Sequence, residues 1–290
     1  MNESISSTTN PDEGTFENHA VQWNKEALQL YAIGQPPEGM ESIKMLMAAM
    51  QDQTPPEKPK AATYLDALRE QQERGTAFTG IDQDEDVADL PEQLHTIFGK
   101  ELFDECLVSK IAYYPDVVLL AREGQHYAVP PENYRTLLAA NPQLSDHRFR
   151  AFSSANFNLH PAMKRYERTP IAIYSFAEEP LSDKNYLPEG DSAAQRRAYK
   201  IGTVVHEVAH HLWSNVLSDD QRASWRQVNE QAMPLTAYAA SYAGKDAWAA
   251  EQFGEAVRLR ATNSQYLQAH SSIIDAYLAR ELPQINEARL

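Results

Sequence analysis

The segment His206-Glu207-Val208-Ala209-His210 has the pattern H-E-x-x-H. Four residues advance a helix by about 400°, so His206 and His210 share one face, one turn apart. Two imidazoles placed that way reach a single Zn²⁺ at about 2.0–2.1 Å. Glu207 stands about 100° round the helix, where it reaches a water on the metal but is badly placed to ligate. The spacing thus gives two neutral ligands and an adjacent base, the arrangement needed for metal-assisted hydrolysis. Ile201, Val204, Val205, Val208 and Leu212 recur at helical spacing around the motif, which predicts a largely buried amphipathic helix. The competing account is a pair of hydrogen-bonded core histidines, because buried imidazoles without a partner cost free energy. His211 points to another face and reads as a surface or hydrogen-bonding residue. His19, His95, His126, His147, His160 and His270 lack ligand spacing.

A hydrolytic zinc site needs a third protein ligand and one position left for water. The metzincin continuation x-x-G-x-x-H is excluded, since Trp213 and Val216 stand at its Gly and His positions. Asp219 and Asp220 follow Ser218 and precede an apparent helix, so that segment reads as a helix N-cap. A later Ala-rich helical stretch carries Glu251 and Glu255 four residues apart. Like charges at that spacing repel, and a metal or a histidine between them relieves the repulsion. The alternative is an exposed acidic face. Given H-E-x-x-H upstream, Glu251 is the favoured third ligand.

His206-Glu207-Val208-Ala209-His210 followed by Glu251-Gln252-Phe253-Gly254-Glu255-Ala256-Val257 resembles the gluzincin metallopeptidases. It resembles above all the branch that holds the catalytic domain of anthrax toxin lethal factor and its relatives. The resemblance covers about residues 170–282 and is carried by the two motif helices. It implies Zn²⁺ held by His206, His210 and Glu251, with Glu255 accepting a hydrogen bond from a ligand histidine. It also implies a tyrosine that hydrogen-bonds the tetrahedral intermediate. Tyr238 has the fitting Leu-Thr-x-Tyr context, while Tyr242 lies nearer to Glu251, and both stand further from Glu251 than the family spacing. Gly254 replaces the alanine usual in the family, a mild departure. The implied fold is α+β and zincin-like, with a small mixed or antiparallel sheet beside the His206 helix and a mainly helical C-terminal lobe. Ile171–Phe176 is the expected edge strand for an extended peptide.

The implied function is a zinc-dependent endopeptidase acting on a protein or peptide, with Glu207 as general base. Two other classes stand beside it. One is a zinc hydrolase of another amide, or a processing peptidase inside its own cell. The other is a non-catalytic adaptor with a degenerate site, against which the intact Glu207 counts.

The rest of the chain must position these residues. The 290 residues suffice for one large domain with an extension. The net charge of −15 argues against nucleic acid and against an anionic membrane surface as partners. The single cysteine, Cys106, reads as a buried apolar residue. Residues 1–15 form a polar tail, and residues 16–60 a helical extension ending in a Pro-rich linker. Residues 61–290 form the metallopeptidase domain, with a helix expected over Ala62–Arg74. The start lacks the basic and apolar pattern of a secretory signal, which predicts a cytoplasmic protein or one exported by a signal-peptide-independent route. Its Ser- and Thr-rich composition is similar to the leaders of exported bacterial effectors. Asp82, Asp84, Glu85, Asp86 and Asp89 read as a solvated acidic loop. Val117–Leu120 and His126–Val129 read as a hairpin turning at Gly124. From about Asp191 the chain reads as helical. Strands first and helices later is an α+β pattern.

Overall fold

The structure is a computed structural model and describes residues 21–23, 75–115, 117–122, 125–140, 148–149, 151–153, 169–175, 186–190 and 192–290. The predicted polar tail, the linker and the Ala62–Arg74 helix lie outside these residues. The fold mixes helix and strand, with the strands before residue 175 and an almost wholly helical remainder.

Eight strands form two sheets among the described residues: β1 (Val21–Trp23), β2 (Ala77–Thr79), β3 (Val108–Tyr114), β4 (Val118–Arg122), β5 (Gln125–Val129), β6 (Arg148–Phe149), β7 (Ala151–Ser153) and β8 (Thr169–Tyr174). One sheet has the order β1-β5-β4-β6 and is antiparallel throughout. Its β4–β5 hairpin pairs Arg122 with Gln125, and the turn expected at Gly124 lies outside the described residues. The other sheet has the order β2-β3-β8-β7 and is mixed, with β7 antiparallel to β8 and the other pairs parallel. Parallel strands covered on both faces are nearly continuous in apolar residues. Ile111–Tyr114 and Ile171–Tyr174 fit that rule, and all eight residues are buried.

The helices are α1 (Leu90–Phe98), α2 (Lys100–Glu105), α3 (Pro131–Ala140), α4 (Ser192–His211), α5 (Asp219–Gln231), α6 (Ala237–Ala240), α7 (Trp248–Thr262), α8 (Ser264–His270) and α9 (Ser272–Glu281). Ile111, Tyr113, Ile171 and Ile173 on one face of the mixed sheet join a single core with side chains from α1, α4, α7 and α9. A smaller core of Val118, Leu120, Val129, Tyr134 and Leu137 lies between the hairpin and α3. Ser218 caps α5 through a reciprocal capping box with Gln221, which agrees with reading Asp219 and Asp220 as a helix start. Among the described residues, no helix is long and apolar enough to cross a membrane.

Three expectations are corrected. Val21–Trp23 falls inside the extension read as helical, yet it is a strand paired with β5, with Val21 opposite Ala128. Its β-branched and aromatic residues suit an extended chain, and pairing satisfies the backbone groups along one side of β5. The Ile171–Phe176 segment is not an edge strand. β8 lies between β3 and β7, and the edges among the described residues are β2 and β7. The long apolar run marked burial on both sides, which an edge strand does not have. Finally, the acidic run is solvated only at Asp82 and Glu85. Lys200 Nζ lies 2.7 Å from both Asp84 Oδ2 and Asp86 Oδ2, and Arg197 lies 2.6 Å from Asp89. These carboxylates fasten the first half of α4 to the segment that follows β2. The cations come from more than a hundred residues downstream, so local composition could not reveal them.

Candidate metal centre

α4 buries Ile201–His206 and Val208–His211, and Glu207 alone in that stretch keeps partial exposure. The same helix therefore presents two buried imidazoles and one accessible carboxylate, as the motif spacing predicts.

α7 packs antiparallel to α4 through two reciprocal contacts. At Gly254 an added Cβ would lie 2.7 Å from Cε1 of the His206 ring, and at Gly202 it would lie 3.0 Å from Cγ of Arg258. Each helix thus offers a bare backbone position to a side chain of the other. Gly254 is no mild departure here, because the His206 ring occupies the space that an alanine methyl would take.

This close approach brings the ligand candidates together. His206 Nε2 is 3.2 Å from Glu251 Oε2, and His210 Nε2 is 3.6 Å from the same oxygen. Donor atoms of His206, His210 and Glu251 all lie within 4.8 Å of one another. Ligands at 2.0–2.1 Å around a tetrahedral ion stand about 3.3 Å apart, so two of these separations already match a zinc site. The donor set, two imidazoles and a carboxylate, also suits Zn²⁺.

The His206 ring is oriented from behind. Its Nδ1 lies 2.9 Å from Glu255 Oε1, and the N–H donates to that carboxylate, which leaves Nε2 facing Glu251. Glu255 is 1% exposed. It also accepts from Thr236 Oγ1 at 2.7 Å and faces the Arg258 guanidinium at 3.3 Å. Burial raises the Glu255 carboxyl, but Arg258 and then His206 outweigh it and hold the group down at about 2. Burial works against a charged His206, yet the bonds to Glu251 and Glu255 raise the ring to about 10 in the metal-free protein. Glu251 is likewise destabilised by burial but held well below the usual carboxylate range by His206 and His210.

Both candidate tyrosines reach this cluster. Tyr238 Oη donates to Glu251 Oε2 at 3.1 Å, and its ring meets the His206 ring edge-on at 5.5 Å between centroids. The Tyr242 phenol oxygen lies 3.4 Å from that of Tyr238, so Tyr242 stands behind it. Tyr238 is 42% exposed. Burial first, then the Glu251 charge, raises this phenol well above its ordinary value, and Glu207 adds to the effect. Tyr238 therefore stays a neutral hydrogen-bond donor. Thr236 explains the Leu-Thr-x-Tyr context. Its Oγ1 accepts from Ala239 N, capping the short helix that carries Tyr238, while its hydroxyl donates to Glu255.

Comparison with family models, with curated proteins and with solved structures finds no match for this chain.

The remaining residues of the second motif also have specific contacts. Gln252 is fully buried, donates to Met233 O at 2.9 Å and accepts from Leu235 N at 3.2 Å, which holds the loop before α6. Phe253 packs between Trp213 and Trp225 at 5.4 and 5.3 Å. Trp225 Nε1 donates to Ala249 O at 2.7 Å, anchoring the first turn of α7 beside Glu251. His211 is corrected as a surface candidate. It is fully buried, and burial, then the charge of His210, pushes its ring down to about 3. Cys106 is buried as expected, and burial pushes its thiol far up, so it is inert. Sequence reasoning missed Gly254, Thr236, Gln252 and Arg258 as parts of the site. The available signals are a glycine inside an otherwise strong helix pattern and the threonine of the Leu-Thr-x-Tyr context.

Proposed function

We propose that this chain is a zinc-dependent endopeptidase of the gluzincin type with a zincin-like fold. The observation that carries the reading is the convergence of His206, His210 and Glu251 at metal-ligand separations, with Glu207 accessible beside them. Zn²⁺, when bound, supplies a Lewis acid that polarises the scissile carbonyl and acidifies a water molecule.

The protein's own residues do the rest. Glu207 takes the proton of the attacking water and returns it to the departing amine. Tyr238 turns its neutral hydroxyl from Glu251 toward the negative oxygen that develops on the carbonyl. Tyr242 lies behind Tyr238 and restrains it. Glu255 keeps the Nδ1 proton of His206, so Nε2 stays available as a donor. An extended peptide is accommodated by pairing with β7, the edge strand that packs against α4. The net charge of −15 favours basic or neutral protein partners over nucleic acid.

The test is incubation of the purified chain with a proteome-derived peptide mixture, with and without a chelator, followed by mass spectrometry of new termini. Chelator-sensitive cleavage that Glu207→Gln abolishes supports the peptidase. A chain that loads zinc but cleaves no peptide in any such mixture contradicts it and favours another amide or an adaptor role.

A further inference from the structure

We infer that Arg258 is a positioning residue for the metal centre, acting through Glu255 on His206. The inference rests on the metal-centre reading above and assigns a role to a residue outside the ligand set.

Arg258 is 7% exposed. Its guanidinium carbon sits 4.3 Å from the centroid of the Tyr186 ring, and its Nη1 lies 3.3 Å from Glu255 Oε1. That same oxygen accepts the His206 Nδ1 proton. Arg258 and His206 therefore meet on one carboxylate atom, from opposite sides of the α4–α7 interface. The aliphatic stem of Arg258 runs over the bare backbone of Gly202, where an added Cβ would lie 3.0 Å from Cγ and 3.2 Å from Cδ. Tyr186 is fixed in turn, because its carbonyl accepts from Asn263 Nδ2 at 3.1 Å.

A buried ion pair is a poor device for stability alone, since apolar residues of similar volume usually do as well or better. The pair supplies orientation instead. His206 is held by one oxygen of Glu255, and that oxygen is kept charged and aimed by Arg258. Residues behind a ligand histidine commonly change metal affinity by about 10–100-fold when altered.

The experiment is a double-mutant cycle on zinc affinity, measured by competition with a chromophoric chelator. The ¹⁵N shifts of the His206 ring in the metal-free proteins give a second readout. Arg258→Met and Glu255→Gln are each expected to weaken zinc about 10–100-fold. The double variant is expected to be no weaker than Glu255→Gln, because Arg258 acts through that carboxylate. Arg258→Lys keeps the charge but not the flat fork on Tyr186, so it should fall between the parent and Arg258→Met. The Glu255→Gln background strands no carboxylate, so the comparison there stands even if Arg258→Met alone fails to fold. Parent-like zinc affinity and His206 shifts in Arg258→Met overturn the inference, as do losses that multiply in the double variant. A parent that takes up no zinc overturns the metal-centre reading itself, an outcome distinct from these.

Discussion

The His206 ring lies where a side chain at position 254 would begin. An ideal Cβ there sits 2.7 Å from Cε1, 2.9 Å from Nδ1 and 3.0 Å from Nε2. The ring cannot swing aside freely, because Glu251 and Glu255 hold both of its nitrogens. Gly254→Ala should therefore displace a ligand. Helix propensity alone predicts a gain of about 1 kcal/mol for this substitution. The expected outcome is a zinc affinity at least about tenfold weaker, with no gain in thermal stability. A more stable Gly254→Ala protein with parent-like zinc affinity would show that the contact does not constrain the ring.

Glu207 is the accessible carboxylate of the motif and is not placed as a ligand. Glu207→Gln should keep zinc and lose peptide cleavage by at least about 10²-fold, the scale of general acid–base assistance. Parallel metal analysis and turnover assays check this. Loss of zinc in the variant would mean that Glu207 ligates instead.

The two tyrosines should separate kinetically. Tyr238 touches Glu251, whereas Tyr242 touches Tyr238. Tyr238→Phe should lower kcat by about 10²–10³-fold with little change in KM, as expected for a lost oxyanion donor. Tyr242→Phe should cost less than tenfold, about 1 kcal/mol for one weak hydrogen bond. The reverse order would move the assisting role to Tyr242.

Two histidines give the metal-free protein a defined pH optimum. The His206 ring is raised from about 6.5 to about 10, so its contribution to stability is complete below pH 6.5 and is lost as pH rises through about 10. His211 is lowered from about 6.5 to about 3, so the unfolded chain gains a proton first as pH falls, and stability drops from pH 6.5 toward 3. The lowered carboxyl of Glu255 adds to the loss below pH 4.5. Urea unfolding in chelator should show a maximum near pH 6.5 with a decline on both sides. Stability that keeps rising from pH 6.5 to 10 would contradict the network around His206.

The helical face of the motif was legible because local spacing fixes it. Being four residues apart, His206 and His210 must share a face once α4 forms. Glu251 was legible from a like-charge pair that needs a partner. A ligand histidine on Glu255 was expected, but Thr236 and Arg258 were not legible as its partners, because they reach it from different turns. The pairing of β4 with β5 followed from two apolar runs flanking a turn signal. The place of β8 in its sheet did not, since strand order depends on β7 and β3 arriving from elsewhere. The acidic run shows the same limit. Asp84 and Asp86 look solvated until Lys200 is brought against them by the tertiary fold.

The account rests on one cation held by side chains from α4 and α7. The most direct measurement is zinc stoichiometry of the purified chain after equilibration with micromolar zinc and desalting, read by elemental analysis beside Glu251→Ala. The account predicts one zinc per chain in the parent, with nitrogen and oxygen neighbours near 2.0–2.1 Å by X-ray absorption, and loss of that zinc in the variant. A parent without bound zinc, or equal zinc in both proteins, would contradict it.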